Sequence, residues 1–213
     1  MARPKEFDRE QVLDRATRLF WERGFGGTSI TDLEAAMGIG RTSIYAAFGA
    51  KEDLFMAAID HYDGTYSIKL RRALTSGLPV REAIALYFEE LMIAFNDPDL
   101  PLGCLVTNVA VEGDRGTTRM GRRIAASITR AEDTFYQVLR AAQIEGEIDP
   151  RADVRAIGRY LVAATHGISA LAKAISDVGA LRDVVAVILG GLDDMFMGKA
   201  PANANRRHRA VAP

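Results

Sequence analysis

One cysteine, three histidines, one tryptophan and seven prolines in 213 residues leave several chemistries without raw material. A lone cysteine excludes an internal disulfide framework and any cysteine-based zinc site, and it suits a reducing compartment. No stretch approaches the roughly 18 unbroken apolar residues of a membrane helix, so no membrane partner is expected. The opening Met1-Ala2-Arg3-Pro4-Lys5-Glu6-Phe7 lacks the apolar run of a secretory signal, which points to the cytoplasm. His61, His166 and His208 lie far apart, and no phosphate-binding glycine loop or nucleophile elbow is found. Neither a catalytic residue nor a metal or other cofactor is therefore expected, and the chain does not read as an enzyme. Positive charge is not in excess either. Lys and Arg number 27 against 28 Asp and Glu, a net charge of −1 that excludes a sticky, non-specific nucleic-acid binder.

What is present is a 48% hydrophobic chain with helical periodicity almost everywhere. The pattern predicts an all-α fold of about nine helices, with a short N-terminal unit joined to a larger helical body. The first helix opens at Asp8, with Gln11 placed to close a capping box, and carries Val12, Leu13, Ala16, Leu19 and Phe20 on one face. Gly24, Gly26 and Gly27 end it. Thr28 reads as the N-cap of a second helix from Ser29 to Ala36, and Arg41 to Phe48 as a third. A long helix then runs from Lys51 into the low seventies, and Pro79 sits where an N1 proline would start the next, through Phe95. A short helix after Gly103, a longer one over 117–145, and two more over 152–175 and 180–197 complete the count. Residues 198–213, with Arg206, Arg207 and Arg209, read as a disordered basic tail.

Residues Ile30 to Ala47 have the anatomy of a helix-turn-helix. Two short helices meet at Gly38, with Leu33, Met37, Ile39 and Ile44 spaced to pack them together. The third helix keeps Arg41, Thr42, Ser43, Ala46 and Ala47 outward, a small polar face suited to a major groove. The same face would also serve as an ordinary solvated surface.

The ordered set Phe20, Gly24-Phe25, Thr28-Ser29-Ile30, Asp32-Leu33, Ala36-Met37-Gly38-Ile39, Arg41-Thr42-Ser43-Ile44-Tyr45, Phe48-Gly49 and Lys51-Glu52-Asp53-Leu54 resembles the DNA-binding domain of the TetR/AcrR regulators. The resemblance implies a helix-turn-helix domain over residues 1–50, a ligand-binding and dimerisation domain over 51–197, and a double-stranded DNA operator as partner. It makes Arg41, Thr42 and Ser43 base readers, with Tyr45, Lys51, Thr28 and Ser29 on phosphates. Three positions depart from the pattern. Glu34 stands where many members have Ala, so its carboxylate must point outward or be paired. Gly40 and Ala50 stand where Ser often caps the third and fourth helices, and a missing cap costs roughly 1 kcal/mol or less.

In the body, Val154, Ile157, Leu161, Ile168 and Leu171 form a heptad-spaced seam, and Leu181, Val185, Ile188 and Leu192 form another. Both helices are apolar on more than one face, so the seams are expected to pair two copies of the chain as a four-helix homodimer interface; burial in the chain's own core would account for the stripes alone. In the same resemblance the middle helices enclose a pocket for a small-molecule inducer. Tyr62, Tyr66, Phe88, Met92, Phe95 and Phe135 are its candidate apolar lining, and Cys104, Asn108 and His166 its polar one. Core packing would account for any one of them.

The reading that follows is a dimeric TetR-like repressor of a palindromic operator, released by an inducer. The alternatives are a small-molecule-binding helical enzyme or adaptor without a DNA role, or a regulator that senses electrophiles through Cys104. The charge distribution fits the first. Residues 1–50 hold as many acids as bases, so cations at Arg3, Lys5 and Arg41, with Lys51 just beyond, act by placement and not by excess.

Overall fold

In a computed structural model of the chain, residues 7–112 and 116–198 are described. They form ten helices and no strand. The expected arm cations Arg3 and Lys5 and all of the basic tail beyond Gly198 lie outside the described residues.

Helix α1 (Arg9–Arg23) starts where Asp8 accepts the amides of Glu10 and Gln11 at 2.9 and 3.1 Å, and it ends at Gly24, with φ of 73°. Helix α2 (Ile30–Met37) is capped by Ser29, one residue later than expected, in a reciprocal capping box with Asp32. Gly38 turns the chain in the left-handed conformation into α3 (Arg41–Phe48).

The single long helix expected from Lys51 is two. Helix α4 (Lys51–Thr65) breaks at Tyr66 and α5 (Ser67–Leu74) continues, which makes the count ten where nine were expected. The break is held once from outside the segment and once across it. The Tyr66 hydroxyl donates to Asp14 on α1 at 2.5 Å, and the Arg71 guanidinium donates to the Asp63 carbonyl at 2.6 Å.

Helix α6 (Val80–Phe95) follows Pro79, which is the N-cap and not the first helical residue. A six-residue α7 (Leu105–Ala110) and a 27-residue α8 (Arg119–Glu145) lead to α9 (Val154–Ala174) and α10 (Val178–Phe196), capped by Asp153 and Asp177. Backbone-close packing of α8 on α9 occurs at buried Gly158, where a Cβ would meet the Tyr136 amide at 3.5 Å. Arg123 and Arg130 of α8 pair with Asp63 of α4 at 3.1 and 2.8 Å.

Two cores result. One joins α1 to α4 through Phe20, Leu33, Ile44, Leu54 and Phe55, and it also takes in Leu105, Val106 and Val109 of α7 and Ile124 of α8. Packing therefore runs straight across residue 50. The other core joins α5, α6, α8, α9 and α10.

The expected dimer seams are corrected by this second core. Val154, Ile157, Leu161, Ile168, Leu181, Ile188 and Leu192 are all buried within it, packed on their own chain. The heptad spacing marks the inner stripe, because a helix covers its most continuous apolar face first. Of the expected set, Leu171 is exposed and Val185 half-buried. The apolar surface left outside keeps Leu171 of that set and adds Tyr160 on α9, Ile175 at its C-cap and Val187 on α10.

Candidate nucleic-acid interface and inner cavity

Helix α3 turns Ile44 and Phe48 into the core and leaves Arg41, Thr42, Tyr45 and Ala46 exposed, with Ser43 and Ala47 half-buried. Four of the seven residues expected to meet DNA thus share one surface. Its first turn is not loose. Glu34 accepts the Arg41 amide at 2.6 Å, taking the place of the side-chain cap that Gly40 lacks. The same carboxylate stands 4.0 Å from the Arg41 guanidinium, which is 57% exposed and so keeps its reach. At α4, Asp53 accepts the Ala50 amide at 3.1 Å and pairs with Arg119 of α8.

Three expected phosphate contacts are engaged within the chain. Thr28 is buried, and its hydroxyl donates to the Gly24 carbonyl at 2.7 Å, so the hydroxyl is turned away from any ligand. The Ser29 hydroxyl donates to Asp32 at 2.5 Å. The Lys51 ammonium donates to the Phe25 carbonyl at 2.6 Å and lies 4.2 Å from the centre of the Phe25 ring. Burial holds its pKa below the usual lysine range. All three brace the turn between α1 and α2. That turn has one further brace that sequence reasoning missed: Glu112, just past α7, accepts the amides of Phe25 and Gly26, both at 2.9 Å. No local pattern signals it, since 86 residues separate Glu112 from Gly26.

Behind this unit lies a cavity of about 520 Å³ between α4, α5, α6, α8, α9 and the loop before α7. Six of the nine expected lining residues meet there: Tyr62, Tyr66, Phe95, Cys104, Phe135 and His166. Phe88 and Met92 do not. They line a separate cleft with Arg182 and Val185, because α6 presents them on another face. Asn108 is structural: buried, it donates to the carbonyls of Trp21 at 2.9 Å and Leu102 at 3.3 Å.

The wall also contains Trp21 and Tyr87, which the sequence did not single out. Trp21 comes from α1, within the reading unit, and its indole donates to the Gly103 carbonyl at 3.1 Å. The charged lining residues Lys69, Arg71, Asp97, Arg130 and Asp133 are exposed at the mouth, and Asp63 and Glu90 are half-buried.

Electrostatics inside favour neutral groups. Burial pushes the His166 imidazole below its ordinary value, while its Nδ1 lies 2.7 Å from the Thr107 hydroxyl. Burial, reinforced by the neighbouring Cys104, pushes Tyr62 well up, and burial also raises Tyr87. Tyr66 is pushed up to about 12 by burial and by its bond to Asp14. Burial would raise Asp14, but hydrogen bonds from Tyr66, His61 and Arg18 outweigh it and hold the carboxyl below its usual range. Tyr66 therefore links the cavity wall directly to α1.

Comparison with known proteins gives one consistent answer. Residues 12–58 match the family model of bacterial regulatory proteins of the tetR family, and residues 81–188 match that of the tetracyclin repressor-like C-terminal domain. The chain is 36% identical over 195 residues to an HTH-type transcriptional regulator of Bacillus subtilis, YezE, covering 91% of this chain and all of that one. It is 31% identical over 188 residues to the Escherichia coli transcriptional repressor ComR, covering 88% and 90%. Among solved structures, a cysteine mutant of the TetR family regulator CifR in complex with 26-base-pair operator DNA superposes with a TM-score of 0.83 at 31% identity, covering 89% of this chain and 98% of that one. With a helix-turn-helix presenting a polar reading face and a helical body enclosing a cavity, the chain belongs to the TetR family of transcriptional regulators.

Proposed function

We propose that the chain is a dimeric repressor that grips a palindromic operator with paired α3 helices and leaves it when a small molecule enters the cavity. The observation that carries this reading is the shared wall. Trp21 and the Tyr66–Asp14 bond put α1 of the reading unit in direct contact with the cavity. A ligand that displaces either side chain biases the position of the reading unit, and a ligand shifts an equilibrium only by such differential contact. Arg41 and Thr42 read base edges, Ser43 and Tyr45 flank them, and the amides at the start of α2 meet phosphate.

Dimerisation is supported by the exposed apolar face of α9 and α10, where Leu171 and Val187 are 41% and 76% exposed. Small Gly167, Gly190 and Gly191 lie along it and would let two copies approach closely. Footprinting of the purified protein on its own upstream region tests the whole reading. A protected palindrome is expected, and no protection at low salt would overturn it.

A second reading has its own observation. Cys104 lines the cavity together with Tyr62, so a reagent in the cavity would meet the thiol. The CifR structures are of cysteine mutants of that regulator. If Cys104 is a sensor of electrophiles, a thiol-modifying reagent releases DNA from the native chain but not from Cys104→Ser. An equal response of both would exclude it.

A further inference from the structure

The polar atoms of the cavity wall are mostly engaged already. The Trp21 indole N–H goes to Gly103, the Thr165 hydroxyl to Leu161 at 2.8 Å, and the Ser169 hydroxyl to Thr165 at 2.7 Å. His166 differs. Thr107 engages its Nδ1, which leaves the Nε2 edge of a half-buried ring for whatever enters. Around it the wall is aromatic. Trp21 stands edge-on to Tyr62 and Tyr66, with centroids 4.9 and 5.2 Å apart, and Tyr87 stands edge-on to Phe135 at 4.9 Å.

Charge is arranged the other way. Every charged lining residue keeps contact with solvent, and Asp63, among the least exposed of them, is held by Arg123 and Arg130. An ion moved inward would lose its hydration with no buried counter-charge to replace it. A neutral ring system would lose little and would cover aromatic carbon.

We infer that the ligand of this cavity is an uncharged aromatic molecule with one hydrogen-bonding group, placed to meet His166 Nε2. The inference rests on the cavity being the inducer site, and the experiment separates the two.

Trp21 is the single tryptophan of the chain and forms part of the wall, so its emission reports occupancy without a label. Three probes of equal shape are titrated into the full-length protein at neutral pH: 4-butylbenzyl alcohol, 4-butylbenzoate and 4-butylbenzylammonium. All three absorb at shorter wavelengths than can excite tryptophan selectively. The alcohol is expected to change Trp21 emission saturably, with an affinity at least about tenfold above that of either ion. His166→Phe, checked for an unchanged circular dichroism spectrum, is expected to weaken the alcohol about tenfold while leaving the hydrocarbon 4-butyltoluene unaffected. His166→Gln, which keeps a hydrogen-bonding group, is expected to restore part of the loss.

An ion that binds as tightly as the alcohol overturns the assignment of an uncharged ligand. Equal alcohol affinity in His166→Phe and native protein overturns the His166 contact. If none of the four compounds gives a saturable change, the assignment of an uncharged aromatic ligand is overturned, while operator footprinting, which does not depend on these probes, still tests the proposed function.

Discussion

The carboxylate of Glu112 occupies the space that a Cβ on Gly24 would need, and from there it accepts the amides of Phe25 and Gly26. Two positions 88 apart in the chain are thus mutually exclusive with any larger pair. Gly24→Ala must drive Glu112 off its amides and also hold a residue at φ of 73°, where a side chain is strained. We expect it to lower stability by roughly 2 kcal/mol and Glu112→Ala by roughly 1 kcal/mol, since the freed amides reach water. The double variant should lose less than the sum, because the clash is gone and only the backbone strain remains. Urea melts of the four proteins measure this cycle. Strict additivity would mean that the two residues do not meet.

Arg41 and Glu34 should separate reading from scaffolding. Arg41→Ala is expected to weaken operator binding by roughly 1–3 kcal/mol and to relax one base position. Glu34→Ala touches no base in the proposed complex, yet it uncaps α3 and is expected to cost about 1 kcal/mol of stability. Glu34→Gln keeps an accepting oxygen and should lose less. Thermal melts beside gel-shift titrations on single-base operator variants check both, and a Glu34→Ala protein as stable as the native one would remove the cap.

His166 gives the protein a pH dependence with a definite sign. Its pKa is lowered by burial from the ordinary 6.5, so the unfolded chain binds the proton more readily than the folded one. The full stability contribution is therefore present above pH 6.5 and is lost as the pH falls from there through the lowered folded value. The midpoint of thermal unfolding should fall more between pH 7.5 and 5.5 in the native protein than in His166→Gln. Parallel curves would show that the ring is not held neutral.

Leu171 and Val187 are expected to be interface residues. Leu171→Glu with Val187→Asp should leave the fold intact, because neither side chain is buried in the protomer. Sedimentation should show a monomer, and operator affinity should collapse, since a single half-site remains. Leu161→Glu, by contrast, should unfold the protein, as Leu161 is fully buried. A double variant that sediments as a dimer would place the interface elsewhere.

The sequence was most readable where structure is made locally. Asp8, Gly24, Gly38 and the spacing of Ile44 and Phe48 act within a few residues, and α1 to α3 form close to where those signals put them. The break at Tyr66 was not readable, because Asp14, which holds it, lies 52 residues away. Trp21 escaped notice as a cavity residue for a similar reason: its helix reads as part of the DNA-binding unit, and only the fold shows that the indole crosses into the body. The heptad seams were real stripes with the wrong partner. Spacing reports that Val154, Leu161 and Ile188 are covered, but not whether a second chain or their own chain covers them. Within the binding surface, exposed Arg41 and Thr42 followed from helix geometry, while the inward turn of the Thr28 hydroxyl depended on the nearby Gly24 carbonyl.

The core shared by α1, α4 and α7 bears on how such a regulator can acquire a new target. Leu105, Val106 and Val109 complete the packing beneath the reading unit, so a recombination joint near residue 50 would pair a head with a foreign floor. Exchange of whole heads between relatives is thereby disfavoured. Arg41, Thr42, Tyr45 and Ala46 carry little of that packing, and substitutions there are free of it. New operator preferences in this lineage should therefore arise by drift across one helical face, one residue at a time.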